Sequence, residues 1–374
     1  AHTLARTVEV YATYYDIHSP NEERQAGRAL RRSPAYPALA ALGCTFGEKS
    51  SWERPNWFEP NATAGDPASR PRGWAGEHWS PAIGAEALAC RDVAALFDET
   101  SFSKVEVTGS GATAFLERIC ANRVDRPVGS VTYTQLTNEE GGIECDLTVT
   151  RLDHDRHLLV TGTAFGNHDL SWIHQQQRRL PEGDGCDARD VTSAWACFGL
   201  WGPQARTILQ RLTRSSLAND DFPYLTAQRL SVGSVPTIAV RVTFVGELGW
   251  ELYCPTEYGA TLWDALWEAG RPEGMLAGGY RAIDSLRGEK GYRAWVLEQY
   301  PEDNPFEAGL GFAVALDKDV DFVGREALRA AKAGGVRRRL RTLVLAGPLA
   351  VPLGSQPGRV DGTLAGRVTR GTQG

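Results

Sequence analysis

Asn138-Glu139-Glu140-Gly141-Gly142-Ile143-Glu144-Cys145-Asp146-Leu147-Thr148-Val149-Thr150 is the stretch from which the fold reads most directly. Two glycines after two glutamates mark a turn, and the residues that follow alternate in polarity. A strand here puts Ile143, Cys145, Leu147 and Val149 on one face and Glu144, Asp146, Thr148 and Thr150 on the other. One apolar and one polar face suit an antiparallel sheet better than a parallel strand buried on both sides. Asp146 thus points away from the apolar side. Its side chain is solvated, or, where that face borders a cavity, it is a carboxylate available for chemistry.

Working outward, KVEVTG (104–109) alternates in the same way, GATAFLERICA (111–121) has helical spacing, and VTYTQLTN (131–138) and HLLVTGTA (157–164) read as strands. Turns fall at Glu140-Gly141-Gly142 and at His154-Asp155, and NHDLSWIHQQQRRL (167–180) reads as a helix. The order then partly recurs: strand TSAWACFGL, helix QARTILQRLT opened by Gly202-Pro203, strands AQRLSV, IAVRVTFVG and WELYCP, and the helix ATLWDALWEAG. The pattern predicts an α+β fold of two related, mostly antiparallel lobes. Two more helices are expected in AGGYRAIDSLRGEKG and FVGREALRAAKAGG, and RTLVLAG (341–347) is expected to be a strand opening a short, incomplete C-terminal β unit. Residues 1–75 are polar and rich in Pro, Arg and Trp, which predicts a helical lead-in and an irregular wrap. The expected domains are therefore 1–75 for the lead-in and wrap, 76–320 for the two lobes and 321–374 for the β unit.

The 374 residues are 42% hydrophobic and 23% charged with a net charge of −6, an ordinary globular composition that excludes a disordered tail or a mini-protein. No apolar run reaches the roughly 18 to 20 residues of a membrane span, and residues 1–24 lack a secretory pattern, so a cytoplasmic location is expected. Residue 1 is Ala and the lone methionine is Met275. Either an initiator was removed or the chain is a piece of something longer. Seven scattered cysteines give no disulfide framework or zinc spacing, and no basic footprint suggests nucleic acid. Gly109-Ser110-Gly111-Ala112-Thr113-Ala114 matches a loose dinucleotide fingerprint, but the alternating strand before it and the missing acidic residue after it favour a simple turn and helix start. His154 and His157, flanked by Asp153, are expected in a solvated turn rather than around a metal, and no metal is expected in the chain. The sequon Asn61-Ala62-Thr63 is expected to be fortuitous.

A second informative segment is Val242-Thr243-Phe244-Val245-Gly246-Glu247-Leu248-Gly249-Trp250-Glu251-Leu252-Tyr253. Two readings are open. It is a hairpin with core aromatics and solvated glutamates, or it is a flat-ring site in which a carboxylate accepts two parallel hydrogen bonds from an amino-pyrimidinone edge while aromatics cover the faces.

Taken together, PNEERQAGRALRRSPAY, FGEKSSWERPNWF, NEEGGIECDLTVTR, RDVTSAWACFGLWGPQAR, VGELGWELYCPTEY, YRAIDSLRGEKGYRAW and PFEAGLGFAV with DFVGREAL resemble the folate-binding aminomethyltransferase family, represented by the glycine cleavage T-protein. They look most like the C-terminal half of dimethylglycine and sarcosine dehydrogenases. The resemblance implies tetrahydrofolate as cofactor and Asp146 as the catalytic carboxylate that handles a proton. It implies Glu251 as the pteridine ligand with Glu247 as its neighbouring carboxylate, and Tyr133 as a ring-contacting aromatic. Phe244 stands where related dehydrogenases commonly carry Tyr. The family's tail-binding Arg falls on Ile283, leaving Arg281 or Arg287 as candidates. Residues 1 to about 60 resemble the junction after a flavin domain. The implied function is capture of a formaldehyde-level unit from an N-methyl amine or iminium as 5,10-methylenetetrahydrofolate. Demethylation giving 5-methyltetrahydrofolate, and a non-catalytic folate module, are the alternatives. The implied partners are a methylated donor and a separate flavin-dependent amine oxidase, with no flavin in this chain, no nucleic acid and no membrane.

Overall fold

In the computed structural model, residues 1–179, 181, 185–346, 352 and 354–371 are described. Helix α1 (His2–Ala12) lies at the surface with no buried residue, and α2 (Tyr36–Ala41) leads into a hairpin of β1 (Cys44–Lys49) and β2 (Trp52–Phe58). The expected irregular wrap is thus partly a paired hairpin. Its alternation is hidden in the sequence because β2 buries Glu53 and Asn56 along with Trp52 and Phe58, and Arg28 holds Glu53 through two hydrogen bonds of 2.8 and 2.6 Å. Trp52 and Phe58 fold back on the body, whereas Trp74 stays about half exposed (52%).

After α3 (Ala82–Asp92) come β3 (Ala95–Asp98), β4 (Ser103–Thr108), α4 (Ala112–Ile119), β5 (Val131–Thr137), β6 (Ile143–Asp153), β7 (Arg156–Thr161), α5 (Gly166–Arg179) and β8 (Asp187–Asp190). The second lobe runs β9 (Trp195–Trp201), α6 (Ala205–Gln210), β10 (Ala227–Val232), β11 (Val235–Val240), β12 (Gly249–Pro255), α7 (Gly259–Gly270), β13 (Leu276–Gly278) and α8 (Tyr280–Glu289). One sheet has the order β5-β6-β7-β4-β8 and the other β10-β11-β12-β9-β3-β13. Every neighbouring pair is antiparallel except β13 with β3. An antiparallel β4 disposes of the dinucleotide fingerprint as a parallel-sheet feature. Gly109, at φ +116°, is there because a Cβ would stand 2.2 Å from the Gly185 carbonyl oxygen.

Each sheet buries one face under its own helices. Val105, Cys145, Leu147 and Val149 pack with Phe115 and Leu116 of α4 and Trp172 and Ile173 of α5. Phe198, Leu200, Trp250 and Leu252 pack with Ile208 of α6 and Trp263 of α7. The opposite faces meet in the middle: Val131, Leu158 and Val160 of the first sheet share a cluster with Cys197, Ile238, Val240 and Tyr253 of the second. This is the expected α+β architecture of two lobes, and the period-2 alternation sets which residues reach the inner face.

Beyond α8, α9 (Arg325–Gly334) forms as expected. The strand expected at 341–347 does not form over its described residues, where Leu343 and Val344 are exposed; the only C-terminal pairing among the described residues is a hairpin of β14 (Pro357–Val360) and β15 (Thr363–Arg367). A β-branched, leucine-rich run with no sheet to pair against gains nothing from strand propensity. No barrel closes among the described residues, and none of their helices is long and apolar enough to cross a membrane.

Candidate functional site

Asp146 sits in the middle of β6, directly opposite Gln135 of β5. The Gln135 side-chain amide donates to Asp146 Oδ1 at 2.9 Å, and Tyr133 and Gln299 adjoin the same carboxyl. Burial pushes Asp146 from its ordinary 3.8 up to about 6, with the three neighbours pulling against that rise. Behind it, Thr161 donates to the Asp146 carbonyl at 3.3 Å and to Asp169 at 2.7 Å. Asp169 also meets His168 at 2.9 Å, and these two with Cys145 bring potential metal-ligand atoms within 4.8 Å of one another. The hydrogen bonds among Asp169, His168 and Thr161 account for that grouping without a metal.

Residues 291–310 reach over this face. Trp295 Nε1 donates to the Ile143 carbonyl at 2.9 Å, and the Ile143 amide donates to the Asp303 carbonyl at 3.0 Å. That crossing brings in Gln299, which is fully buried and whose amide oxygen and nitrogen both lack a protein hydrogen-bond partner. Phe312 stacks on Tyr133 at 6.1 Å while keeping 76% of its own surface exposed, an open aromatic wall beside Asp146.

Glu251 is presented by the facing sheet. Its backbone pairs with Gly199 of β9, which in turn pairs with Phe97 of β3. The Tyr253 hydroxyl donates to its Oε2. Burial raises the Glu251 carboxyl, against the pull of Tyr253 and of Lys104. Asp98, Glu99 and Lys104, all buried, surround it. The solvated reading of the hairpin therefore fails for Glu251, while Trp250 is core as the bland reading had it.

The remaining expected residues divide. Tyr133 adjoins Asp146, and Phe244 stacks on Tyr292 at 6.2 Å beside Ile283 and Leu286. Glu247 pairs with Lys290 at 3.2 Å. Arg281 is committed to Asn21 at 2.8 Å and Glu23 at 3.0 Å, and so ties the N-terminal wrap to α8. Arg287 is buried and binds Asp284 at 3.0 Å, the Tyr292 carbonyl at 3.1 Å and Glu298 at 3.2 Å. Its geometry is that of a residue positioning the 292–299 crossing. His157 is not in a solvated turn but fully buried in β7, its imidazole pushed down to about 4 by burial. The Asn61 amide is spent on Glu86 and the Ala277 carbonyl. Sequence reasoning missed Glu99, Gln135, Gln299 and Tyr253; only Gln135 and Tyr253 had a signal, being two residues from Tyr133 and Glu251 on the same strand faces.

Residues 35–318 match the GCVT N-terminal domain family. An aminomethyltransferase of Anoxybacillus flavithermus is 34% identical over 312 residues, covering 83% of this chain and 78% of that protein. The chain belongs to the aminomethyltransferase family. A crystal structure of the glycine cleavage system aminomethyltransferase T from Bartonella henselae superposes with a TM-score of 0.67 at 24% identity, over 82% of this chain and 76% of that one, and shows the same fold. The mitochondrial sarcosine dehydrogenase of Mus musculus is 36% identical over 374 residues, 91% of this chain but 40% of that protein. The chain thus spans about two fifths of that relative. Residues 1–33 match a further family, the FAD dependent oxidoreductase central domain. This is a domain of the folate-dependent aminomethyltransferase type, related to sarcosine dehydrogenase.

Proposed function

We propose that this domain binds tetrahydrofolate between the inner faces of its two sheets and captures a formaldehyde-level unit from an N-methyl amine or its iminium as 5,10-methylenetetrahydrofolate. Bound tetrahydrofolate supplies two nucleophilic nitrogens for that carbon. The observation that carries the reading is the placement of Asp146 and Glu251 on the two sheet faces that meet in the centre. The fit is supported by buried polar atoms around those faces without a close hydrogen-bond partner: Gln135 Oε1 on β5, both side-chain atoms of Gln299 from the crossing segment and both oxygens of Glu99 at the end of β3. Native proteins leave few such groups unpaired, and several together mark a surface shaped for a polar ligand.

Glu251 would take the paired N–H groups of the amino-pyrimidinone edge as a charge-assisted acceptor. Asp146 is the proton acceptor, ionised above pH about 6, with Gln135 donating to one oxygen and Tyr133 and Gln299 orienting the carboxyl. Tyr133 and the open face of Phe312 line the approach to it. Direct demethylation to 5-methyltetrahydrofolate would use the same residues, and the product distinguishes the two. The test is single-turnover transfer from a formaldehyde-level donor to tetrahydrofolate. Methylenetetrahydrofolate should form with wild type and fall by orders of magnitude with Asp146→Asn; equal turnover would refute the role of Asp146.

The partner belongs to the same proposal. The N-terminal segment resembling an oxidoreductase domain carries α1, whose Leu4, Val8 and Tyr11 are exposed. Docking of a flavin-dependent amine oxidase there would bring the iminium to the folate lobes, and single-turnover transfer distinguishes a catalytic unit from a passive folate module serving the same partner. The division into 1–75, 76–320 and 321–374 is retained within this proposal.

A further inference from the structure

Among the described residues, Glu99 is the buried carboxyl with both oxygens unpartnered. It is completely buried (0% exposed). Its backbone amide donates to the Cys197 carbonyl at 2.9 Å, fixing it at the end of β3 against β9. Gly199 makes room for it. A Cβ at that position would stand 2.8 Å from Glu99 Oε2, so the carboxyl lies over the backbone of the residue that pairs in register with Glu251. Both glutamates therefore flank one glycine on the inner face.

The cations nearby do not pair with it. Lys104 Nζ is directed at the carbonyl oxygens of Thr100 and Phe102, each at 2.9 Å. The Arg54 guanidinium stacks on the Tyr280 ring at 3.3 Å. Asp98 accepts from the Thr100 amide at 3.0 Å, and the Tyr280 hydroxyl lies 3.1 Å from the Ser101 hydroxyl. Around the two glutamates stand Asp98, Lys104, Arg54, Cys197, Tyr253 and Tyr280. Burial and the adjacent Glu251 and Asp98 charges push Glu99 well above the usual carboxylate range, while Lys104 and Arg54 pull less strongly the other way.

We propose that Glu99 is a second ligand-recognising carboxyl of this site, protonated in the free protein beside Glu251, and that it meets the same amino-pyrimidinone ring. An unpaired buried carboxyl is costly, and an apolar residue of similar volume would relieve the cost, so its presence on the face that carries Glu251 points to use rather than to packing. Like carboxyls that share a site cannot both ionise, so one keeps the proton. With ligand present, Glu251 is the ionised acceptor of the two ring N–H groups. Glu99 keeps the proton and donates it in a hydrogen bond to a ring acceptor, with no proton leaving the site. Affinity should then fall as rising pH ionises Glu99 as well. The proposal rests on the folate reading above, and its test separates the two.

Tetrahydrofolate affinity and melting temperature are measured for the full chain as wild type, Glu99→Leu and Glu99→Gln over a range of pH, with infrared detection of protonated carboxyl in the ligand-free forms. Glu99→Leu should lose at least about tenfold in affinity while melting at the same or a higher temperature, because it removes an unsatisfied buried group. Glu99→Gln should fold like wild type, bind more weakly and lose the alkaline fall in affinity. At neutral pH Glu99→Gln should lose one protonated-carboxyl band that wild type shows, while the band of Glu86, whose carboxyl burial pushes up to about 8, remains in both. Wild-type affinity in both variants would overturn the proposal, with Glu99 then only frustrated core. If wild type itself bound no tetrahydrofolate, the folate reading would fall, and the wild type minus Glu99→Gln infrared difference would still decide the pair: loss of a protonated-carboxyl band in the variant supports it, an unchanged spectrum in that region overturns it.

Discussion

Asp146 sets a pH dependence at the centre of the site. Its carboxyl moves from 3.8 to about 6 on folding, so the folded state holds that proton more tightly than the unfolded chain. The sign follows: below pH about 4 Asp146 has no effect on stability, and its ionisation destabilises progressively as pH rises to about 6 and remains a fixed cost above. Asp146→Asn should therefore melt higher than wild type at pH above about 6 and show no such gain below about 4. Its turnover should be lost at every pH, since an amide cannot accept the proton. For wild type, kcat/KM should climb through pH about 6. A flat profile there, measured with saturating tetrahydrofolate and varied donor, would count against Asp146 as the base. Asp146 and Glu251 were legible through the family resemblance; strand alternation put Asp146 on the polar face, where one residue of register decides the side, but left its role and that of Glu251 open. Glu99 and Gln299 were not, because they enter from the end of β3 and from a segment about 150 residues after β6, and nothing local announces that they converge.

At the scale of elements, one buried carboxyl and one buried ion cluster carry the arrangement. Glu86 of α3 accepts from the Phe58 amide at 2.6 Å, the Gly279 amide at 2.9 Å and the Asn61 side chain at 3.1 Å, and so joins β2, α3 and the start of α8. Glu86→Ala would orphan three donors and should cost roughly 3 kcal/mol or more, read as a shift of the denaturant midpoint. Arg287 does the equivalent for the 292–299 crossing. Arg287→Met should destabilise by about 3 kcal/mol, since it leaves Glu298 without its buried guanidinium, while Asp284 keeps Arg370 at 2.7 Å. Amide exchange should accelerate over residues 292–299 more than over β6. A uniform loss of protection would show that Arg287 supports the core in general rather than that crossing. Most helices and strands of both lobes follow from periodicity in the sequence; α3, β3 and β8 were not read from it, and the strand expected over IAVRVTFVG ends at Val240. Other exceptions have physical causes: β2 buries charge, β13 is three residues long and pairs in parallel with β3, and the run at 341–346 has β-forming residues but no partner strand.

For the whole molecule, the two lobes bring one carboxylate each to a common interior, and the N-terminal segment carries a different resemblance on its surface. If α1 receives a flavin-dependent oxidase, Leu4→Glu with Val8→Glu should abolish co-elution with such a domain and leave tetrahydrofolate affinity unchanged. The isolated chain should be colourless; a stoichiometric flavin in it would contradict that assignment.

The central claim is that the inner faces form a tetrahydrofolate site organised by Glu251. Calorimetric titration of the 374-residue chain with tetrahydrofolate, alongside its melting curve, tests it most directly. Saturable binding of one equivalent is expected, with a melting temperature that rises with ligand because only the folded state binds, equivalent to about 2.7 kcal/mol at one hundred times the dissociation constant. Glu251→Ala should weaken binding by at least about tenfold by leaving two ring donors unpaired. A melting curve unmoved by saturating tetrahydrofolate, or equal affinity in wild type and Glu251→Ala, would contradict it.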